Sequence, residues 1–287
     1  MESTINSTKP GLSFVLPAYN EENGIVNTLK RLIETLSKID MPHEIIVVND
    51  GSTDGTLEKT KSFGSVKIIN HPINTGYGNA IKSGIKIAQY DWIGIVDADG
   101  TYPIEDLKIF VSEMKNGFDM VIGSRDNIAA TDSISKKLSR YIFKKIIKIT
   151  VRKDIHDPNS GFRLFKRDMA LQLYPFLCGT FSFTTSLSIL ASGMSFFVKY
   201  IPIQYSQRCG KSKVHYLKDP LRTVIYIIQG ITFFNPIKFF LLLSICMIIF
   251  VCVPAMFFAL FRMFALSLYY MIFGATVTIL LGFGVLG

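Results

Sequence analysis

The sequence predicts an α/β fold with a mainly parallel sheet, followed by a membrane anchor. Three observations lead there. Strand-like and helix-like segments alternate from Leu12 to Arg125, polar residues recur where the apolar strands end, and residues 239–287 contain no acid and a single basic residue, Arg262. Alternation of this kind is the signature of a layered α/β domain, whereas a long apolar tail with almost no charge reads as membrane-spanning.

The elements follow in order. "LSFVLPAYN" is a short apolar strand ending in a turn, and "EENGIVNTLKRLIETL" places Ile25, Leu29, Leu32, Ile33 and Leu36 at helical spacing. "HEIIVVND" is a second strand leading into the loop "GSTDGT", and "VKIINHP" is a third. "GNAIKSGIKIAQ" reads as a helix, "WIGIVDADG" as a fourth strand, "IEDLKIFVSEMKN" as a further helix and "FDMVIGSR" as a fifth strand. On such sheets ligands bind beyond the carboxyl ends of the strands. That is where the unusual residues fall: Tyr19, Asn20 and Glu21, then Asp50, then Asp97 and Asp99, then Arg125.

Beyond the sheet, residues 135–153 form a segment with eight basic residues interleaved with apolar ones. Two readings stand for it, a helix lying on a membrane surface and a solvated basic face packed on the sheet. Two apolar stretches, Phe239–Phe261 and Met263–Gly287, are each long enough to cross about 30 Å of hydrocarbon. The second stops at Gly287 without a charged flank, as in a piece of a longer chain or a protein ending close to the membrane. The expected organisation is a catalytic domain over 1–213, an interfacial region over 214–237 and two transmembrane helices over 238–287. Basic residues lie almost wholly before the first span, which places the soluble part in the cytoplasm. The polar start "MESTINSTKP" lacks the apolar core of a signal peptide and agrees. The four cysteines form no CxxC pattern, so neither a disulfide framework nor a zinc site is expected.

The chemistry centres on "DADGTYP". Two carboxylates one residue apart repel unless a cation or hydrogen-bond donors offset them. In an extended segment both would point to one side, where a hard cation such as Mg²⁺ bridges carboxylates to a phosphate. A plain turn is the alternative reading of Asp and Gly after a strand.

The ordered motifs "VLPAYNEE", "VVNDGSTDGT", "NTGYGNAIKSG", "DADGTYP", "GSR", "DPNSGFRLF" and "RCGKSK" together resemble family 2 glycosyltransferases of the dolichol-phosphate mannose synthase type carrying two C-terminal transmembrane helices. The resemblance implies a GT-A, Rossmann-like nucleotide-sugar domain and a prokaryotic plasma-membrane location. It implies that Pro17, Tyr19, Glu21, Asp50, Gly76 and Gly78 line the nucleotide site together with Asp97, Asp50 receiving the base. Asp97, Asp99 and Thr101 would hold Mg²⁺ or Mn²⁺ against the donor diphosphate. Asp97, Asp99, Arg125 and Arg208 are the catalytic candidates, and Arg125, Arg140, Ser160, Arg163, Arg208 and Lys213 the candidates for gripping an acceptor phosphate. Where many relatives carry a glutamate, this chain has Thr184, Thr185 and Ser186. A hydroxyl acceptor needs a carboxylate base, but a phosphate monoester is already mostly dianionic at neutral pH.

The implied reaction is transfer of a hexose from a nucleotide diphosphate sugar, of the UDP-glucose or GDP-mannose type, to a polyprenyl phosphate, with inversion. Its partners are that donor, the lipid acceptor and the membrane; no nucleic acid is expected, and self-association is left open. A processive polysaccharide synthase would carry a QxxRW segment, and the single tryptophan, Trp92, lies in the strand before the DxD motif instead. The rival of another class is an inactive, membrane-anchored scaffold that binds nucleotide.

Overall fold

The structure, a computed structural model, describes residues 9–125, 155–180, 182–206 and 236–286. Strands β1 (Lys9–Ala18), β2 (His43–Asp50), β3 (Val66–His71), β4 (Tyr90–Ile95), β5 (Met120–Ser124), β6 (Arg163–Lys166) and β7 (Val198–Pro202) form one sheet in the order β3-β2-β1-β4-β6-β5-β7. β1 pairs in parallel with β2 and β4, and β2 with β3. β6 lies antiparallel between β4 and β5, so β5 runs the same way as β4, and β7 is parallel to β5. The sheet is therefore parallel but for one reversed strand. That reversal lets β5 deliver its end to the same edge as β1, β2 and β4.

Among the described residues, helices α1 (Ile25–Ser37), α2 (Thr56–Lys61), α3 (Tyr77–Ile87), α4 (Leu107–Lys115), α5 (Arg167–Leu173) and α6 (Phe183–Gly193) accompany the sheet. Strand side chains alternate between faces, and β1 shows why both faces are covered. Leu12, Phe14 and Leu16 join Leu29, Leu32 and Leu36 of α1 and Phe110 and Met114 of α4 in one buried cluster. Val15 points the other way, onto α3, where Gly84 leaves no room for a Cβ beside its methyl groups. Burying each such aliphatic or aromatic side chain contributes about 1.5–3 kcal/mol before entropy is counted.

Two boundaries differ from the sequence expectation. α1 starts at Ile25 because residues 21–24 form a turn in which the Gly24 and Ile25 N–H groups donate to the Glu21 carbonyl at 3.0 and 2.9 Å. β4 stops at Ile95, so Asp97 and Asp99 stand in a turn that Gly100 closes at φ +77°. Strand alternation therefore does not aim the two carboxylates.

The chain divides into two compact units, 1–223 and 224–287. In the second, α7 (Pro236–Met247) widens into a π turn over Ile248–Cys252 before α8 (Val253–Leu260). Pro254 has no N–H to give to the preceding turn, and a local π bulge is a common way to absorb that loss. Arg262, at φ +59°, breaks the helix before α9 (Phe264–Leu286). Leu243–Leu260 is long and apolar enough to cross a membrane, and only 6% of it is buried within the protein. Within α9 the apolar run found among the described residues, Phe264–Leu280, is shorter. Of the two expected spans, one is a clear candidate and the other is a shorter apolar run among the described residues.

Candidate active site

The strand ends bring the polar motifs to one edge. Tyr19, Asn20 and Glu21 follow β1, Asp50 ends β2, Asp97 and Asp99 follow β4, and Arg125 follows β5. The first two motifs are laced together. Thr53 donates its N–H to Asn20 Oδ1 at 2.8 Å, the Asn20 N–H donates to Ser52 Oγ at 3.0 Å, and the Glu21 N–H donates to Thr56 Oγ1 at 2.8 Å. Asn20 adopts φ +51°, a conformation asparagine tolerates better than most residues. Tyr19 is exposed at this rim, whereas Pro17 is buried in β1, opposite Val48.

Asp50 is buried and holds the loop after β3. Its Oδ1 accepts from the His71 ring Nδ1 (2.7 Å), the Thr75 N–H (2.9 Å) and the Thr75 hydroxyl (2.7 Å), and its Oδ2 from the Gly76 N–H (2.8 Å). Burial alone would raise its pKa; these donors outweigh burial and hold the carboxyl below the ordinary range. Gly76 has φ +101°, and a Cβ on Gly78 would lie 2.3 Å from the Cys178 carbonyl oxygen. The room expected at Gly78 for a nucleotide is thus taken by the chain over residues 178–180. The Gly78 N–H donates to Thr180 O at 3.2 Å and the Asn79 N–H to Gly179 O at 2.7 Å.

At the DxD turn, Tyr77 donates its phenol hydroxyl to Asp97 Oδ1 at 2.8 Å. Burial and the adjacent Asp97 charge raise the Tyr77 pKa well above its usual value, so the phenol stays a donor. Asp99 is buried, and its Oδ1 accepts from the Thr101 N–H (3.1 Å) and hydroxyl (2.7 Å). Thr101, expected as a metal ligand, thus orients the Asp99 carboxylate. Tyr102, also buried, accepts the Gly161 N–H on its hydroxyl at 2.7 Å, which presses Gly161 against Asp97. Among the described residues no trio of His, Cys, Asp or Glu is gathered. Two carboxylates alone suit a hard divalent ion, which takes oxygen ligands and fills its remaining positions from water and phosphate. The residues fit such a metal.

Arg125 lies beside this turn in a bidentate pair with Asp157, Nε to Oδ2 at 2.7 Å and Nη2 to Oδ1 at 2.8 Å. Fork geometry of this kind is the strong form of the ion pair. Burial opposes ionisation of both groups, yet the pairing carries Asp157 below the usual carboxylate range, and Tyr102 together with Asp157 raises Arg125 above its own. The Arg125 guanidinium also stands 5.5 Å from the centre of the Tyr205 ring.

Two candidates for the acceptor phosphate are corrected. Arg163 and Ser160 are both fully buried, at 0% exposure. Arg163 donates to the carbonyls of Ser160 (2.5 and 3.1 Å), Thr184 (3.0 Å) and Pro158 (3.2 Å) and to the Ser188 hydroxyl (3.1 Å). It ties the loop behind Asp157 to α6 and faces no solvent. Thr184, Thr185 and Ser186 are buried at the start of α6 as well.

With this geometry in hand, the protein-family comparison is decisive: the glycosyl transferase family 2 model matches residues 13–173 of the 287. The chain belongs to this family. A dolichyl-phosphate β-glucosyltransferase of Dictyostelium discoideum is 28% identical over 247 residues, covering 77% of this chain and 76% of that protein. One of Trichomonas vaginalis is 28% identical over 242 residues, covering 78% and 71%. The dolichol-phosphate mannosyltransferase of Pyrococcus furiosus is 29% identical over 214 residues, covering 71% and 59%. Among solved structures, glucosyl-3-phosphoglycerate synthase from Mycobacterium tuberculosis, in complex with uridine diphosphate, matches with TM-score 0.61 at 16% identity, covering 77% of this chain and 80% of that one. At that identity the likeness carries the GT-A fold alone.

Within this family 2 glycosyltransferase, the structure gathers Asp97, Asp99 and Thr101 in one turn and sets Tyr19, Glu21, Asp50 and Arg125 at the same sheet edge. Arg140, Arg208 and Lys213 lie outside the described residues, as do the basic segment 135–153 and most of 214–237. Sequence reading missed Tyr77, Tyr102 and Gly161 around Asp97. The tyrosines sit inside quoted motifs, "NTGYG" and "DADGTYP", but nothing in their spacing says that one donates to the Asp97 carboxylate and the other fixes its neighbour.

Proposed function

We propose that this family 2 glycosyltransferase moves a hexose from a nucleotide diphosphate sugar to a polyprenyl phosphate at the cytoplasmic face of a membrane. The observation that carries it is the Asp97–Asp99 turn, fixed at the edge where β1, β2, β4 and β5 end. The relatives named as dolichyl-phosphate glucosyltransferases and a dolichol-phosphate mannosyltransferase support the acceptor class. Neighbouring solved structures contain Mn²⁺ with UDP-glucose, which supports a divalent ion and a nucleotide-sugar donor. The helix Leu243–Leu260 supplies a means of staying beside a lipid.

Asp97 and Asp99 would hold the ion, Tyr77 and Thr101 keeping the two carboxylates oriented. When bound, that ion neutralises charge on the departing nucleoside diphosphate. An oxygen of the lipid phosphate attacks C1 of the sugar from the face opposite the nucleotide. The new C1–O bond forms as the old one breaks, the nucleoside diphosphate leaves with the bonding electrons, and the anomeric centre inverts. No base is required, because the acceptor's second pKa is near ~6. This agrees with α6 opening on buried Thr184 and Thr185 rather than on a carboxylate.

The test uses membranes containing the protein, labelled UDP-glucose or GDP-mannose, Mg²⁺ or Mn²⁺, and undecaprenyl or dolichyl phosphate. Label should enter the organic phase from one donor, stop on chelation with EDTA, return with either metal, and be absent for Asp99→Asn. Transfer that survives chelation would remove the metal from the mechanism. Nucleotide binding without transfer from any donor would favour the scaffold.

A further inference from the structure

The DxD turn is gripped by its backbone, from helix α1, on atoms that take no part in holding a metal. The Thr28 hydroxyl donates to Ala98 O at 3.0 Å. Arg31, one turn further along α1, donates Nη1 to Gly100 O at 3.1 Å and Nη2 to Tyr102 O at 3.0 Å. Its remaining donors form a fork with Glu105, at 2.7 Å from Nε and 2.7 Å from Nη2. Gly24, one turn before Thr28, lets the Ala98 carbonyl and the Asp99 backbone come close enough that a Cβ would lie 2.7 and 3.0 Å from them. The Ser206 N–H takes Thr101 O, one of the two intervening carbonyls, at 2.9 Å.

We infer that Thr28 and Arg31 are positioning residues: by capturing the alternate carbonyls of Ala98, Gly100 and Tyr102 they fix the turn so that Asp97 and Asp99 are presented for the divalent ion. The physical need is clear. β4 ends at Ile95, so no sheet ladder holds the turn, while two neighbouring carboxylates repel and would drive it apart. Preorganisation must come from elsewhere, and a buried hydroxyl and a four-bonded guanidinium supply it. The inference rests on the proposed metal role of Asp97 and Asp99, and its test separates the two.

The experiment compares full-length wild type, Arg31→Met, Thr28→Val, Thr28→Ser and Asp99→Asn. Free Mn²⁺ is followed by electron paramagnetic resonance, and amide exchange of residues 97–102 by mass spectrometry without metal. The Mn²⁺ dependence of transfer is also measured. Arg31→Met should raise the Mn²⁺ concentration for half-maximal rate about tenfold, equal to about 1.4 kcal/mol. The saturating rate should change less than twofold, and exchange at 97–102 should accelerate. Thr28→Val should shift both in the same direction, and Thr28→Ser, which keeps the hydroxyl, should restore wild-type behaviour. Thr28→Val is nearly isosteric and guards against a folding failure of Arg31→Met. Unchanged metal dependence and exchange in both variants, with Asp99→Asn still losing Mn²⁺, would overturn the positioning role alone. A saturating rate that falls while the half-maximal concentration stays fixed would also overturn it. Asp99→Asn binding Mn²⁺ like the wild type would instead remove the metal reading on which it stands.

Discussion

Gly161 lies flat against the Asp97 carboxylate: a Cβ at Gly161 would fall 2.5 Å from Oδ2 and 2.6 Å from Oδ1. No side chain can share that space, and Tyr102 holds the Gly161 N–H at 2.7 Å so that the backbone cannot retreat. Gly161→Ala should therefore displace Asp97 while leaving the sheet intact. The expected result is at least a tenfold loss of transfer, about 1.4 kcal/mol in the barrier, with a melting temperature within a few degrees of wild type. Retained activity would mean that Asp97 tolerates displacement and does not hold the ion in this pose.

Arg163 predicts the reverse pattern. Replacing it with Met leaves the Ser160 carbonyl without its buried donor, while those of Pro158 and Thr184 keep the Ser188 hydroxyl. Buried groups left unpaired cost about 1–3 kcal/mol each. Arg163→Met should lower unfolding stability by about 1–3 kcal/mol in urea titrations. A variant as stable as wild type, but unable to use the lipid acceptor, would return Arg163 to the list of phosphate contacts.

Tyr77→Phe removes one hydroxyl and nothing else from the Asp97 environment. A hydrogen bond to a charged group contributes about 1.5–3 kcal/mol, so the variant should need roughly ten times more metal for half-maximal rate. The donor's Michaelis constant at saturating metal should move much less. Equal shifts in both would assign Tyr77 to the donor rather than to the carboxylate.

Acid sensitivity follows from Asp50 and Asp157. Burial by itself would raise both pKa values, but hydrogen bonds from His71, Thr75 and Gly76 at the first, and from Arg125 at the second, hold them below the ordinary range. A depressed carboxyl contributes stability that is complete above its unfolded value, about 3.9, and is lost as pH falls through the folded value. The melting temperature contributed by these groups should be level above about pH 5 and drop below about pH 4. Asp157→Asn should melt lower at neutral pH and show a shallower acid decline. Parallel curves for variant and wild type would dissociate Asp157 from the acid transition.

Much of this was legible in the sequence because it is local or periodic. The helical spacing of Leu29, Leu32 and Leu36 and the apolar run before Asp97 place α1 and β4 to within a few residues. The alternation of elements fixes a parallel sheet, and with it the shared edge of Asp50, Asp97 and Arg125. Arg163 was misread for a definite reason. A charged residue in a motif reads as a ligand contact, and burial of a guanidinium on three backbone carbonyls depends on the 158–160 loop and α6, whose approach no local pattern encodes.

By itself the sequence determined the class of fold, the family through its ordered motifs, the apolar tail and the carboxylate pair. Only the tertiary structure decided how that pair is aimed. β4 ends before Asp97, so the strand period says nothing about the direction of either carboxylate. Their pose comes instead from Tyr77 on α3, Gly161 before β6, and Thr28 and Arg31 on α1, residues 20 to 71 positions away in the chain. Hydrogen bonds and steric contacts over such separations exist only once the layers have packed.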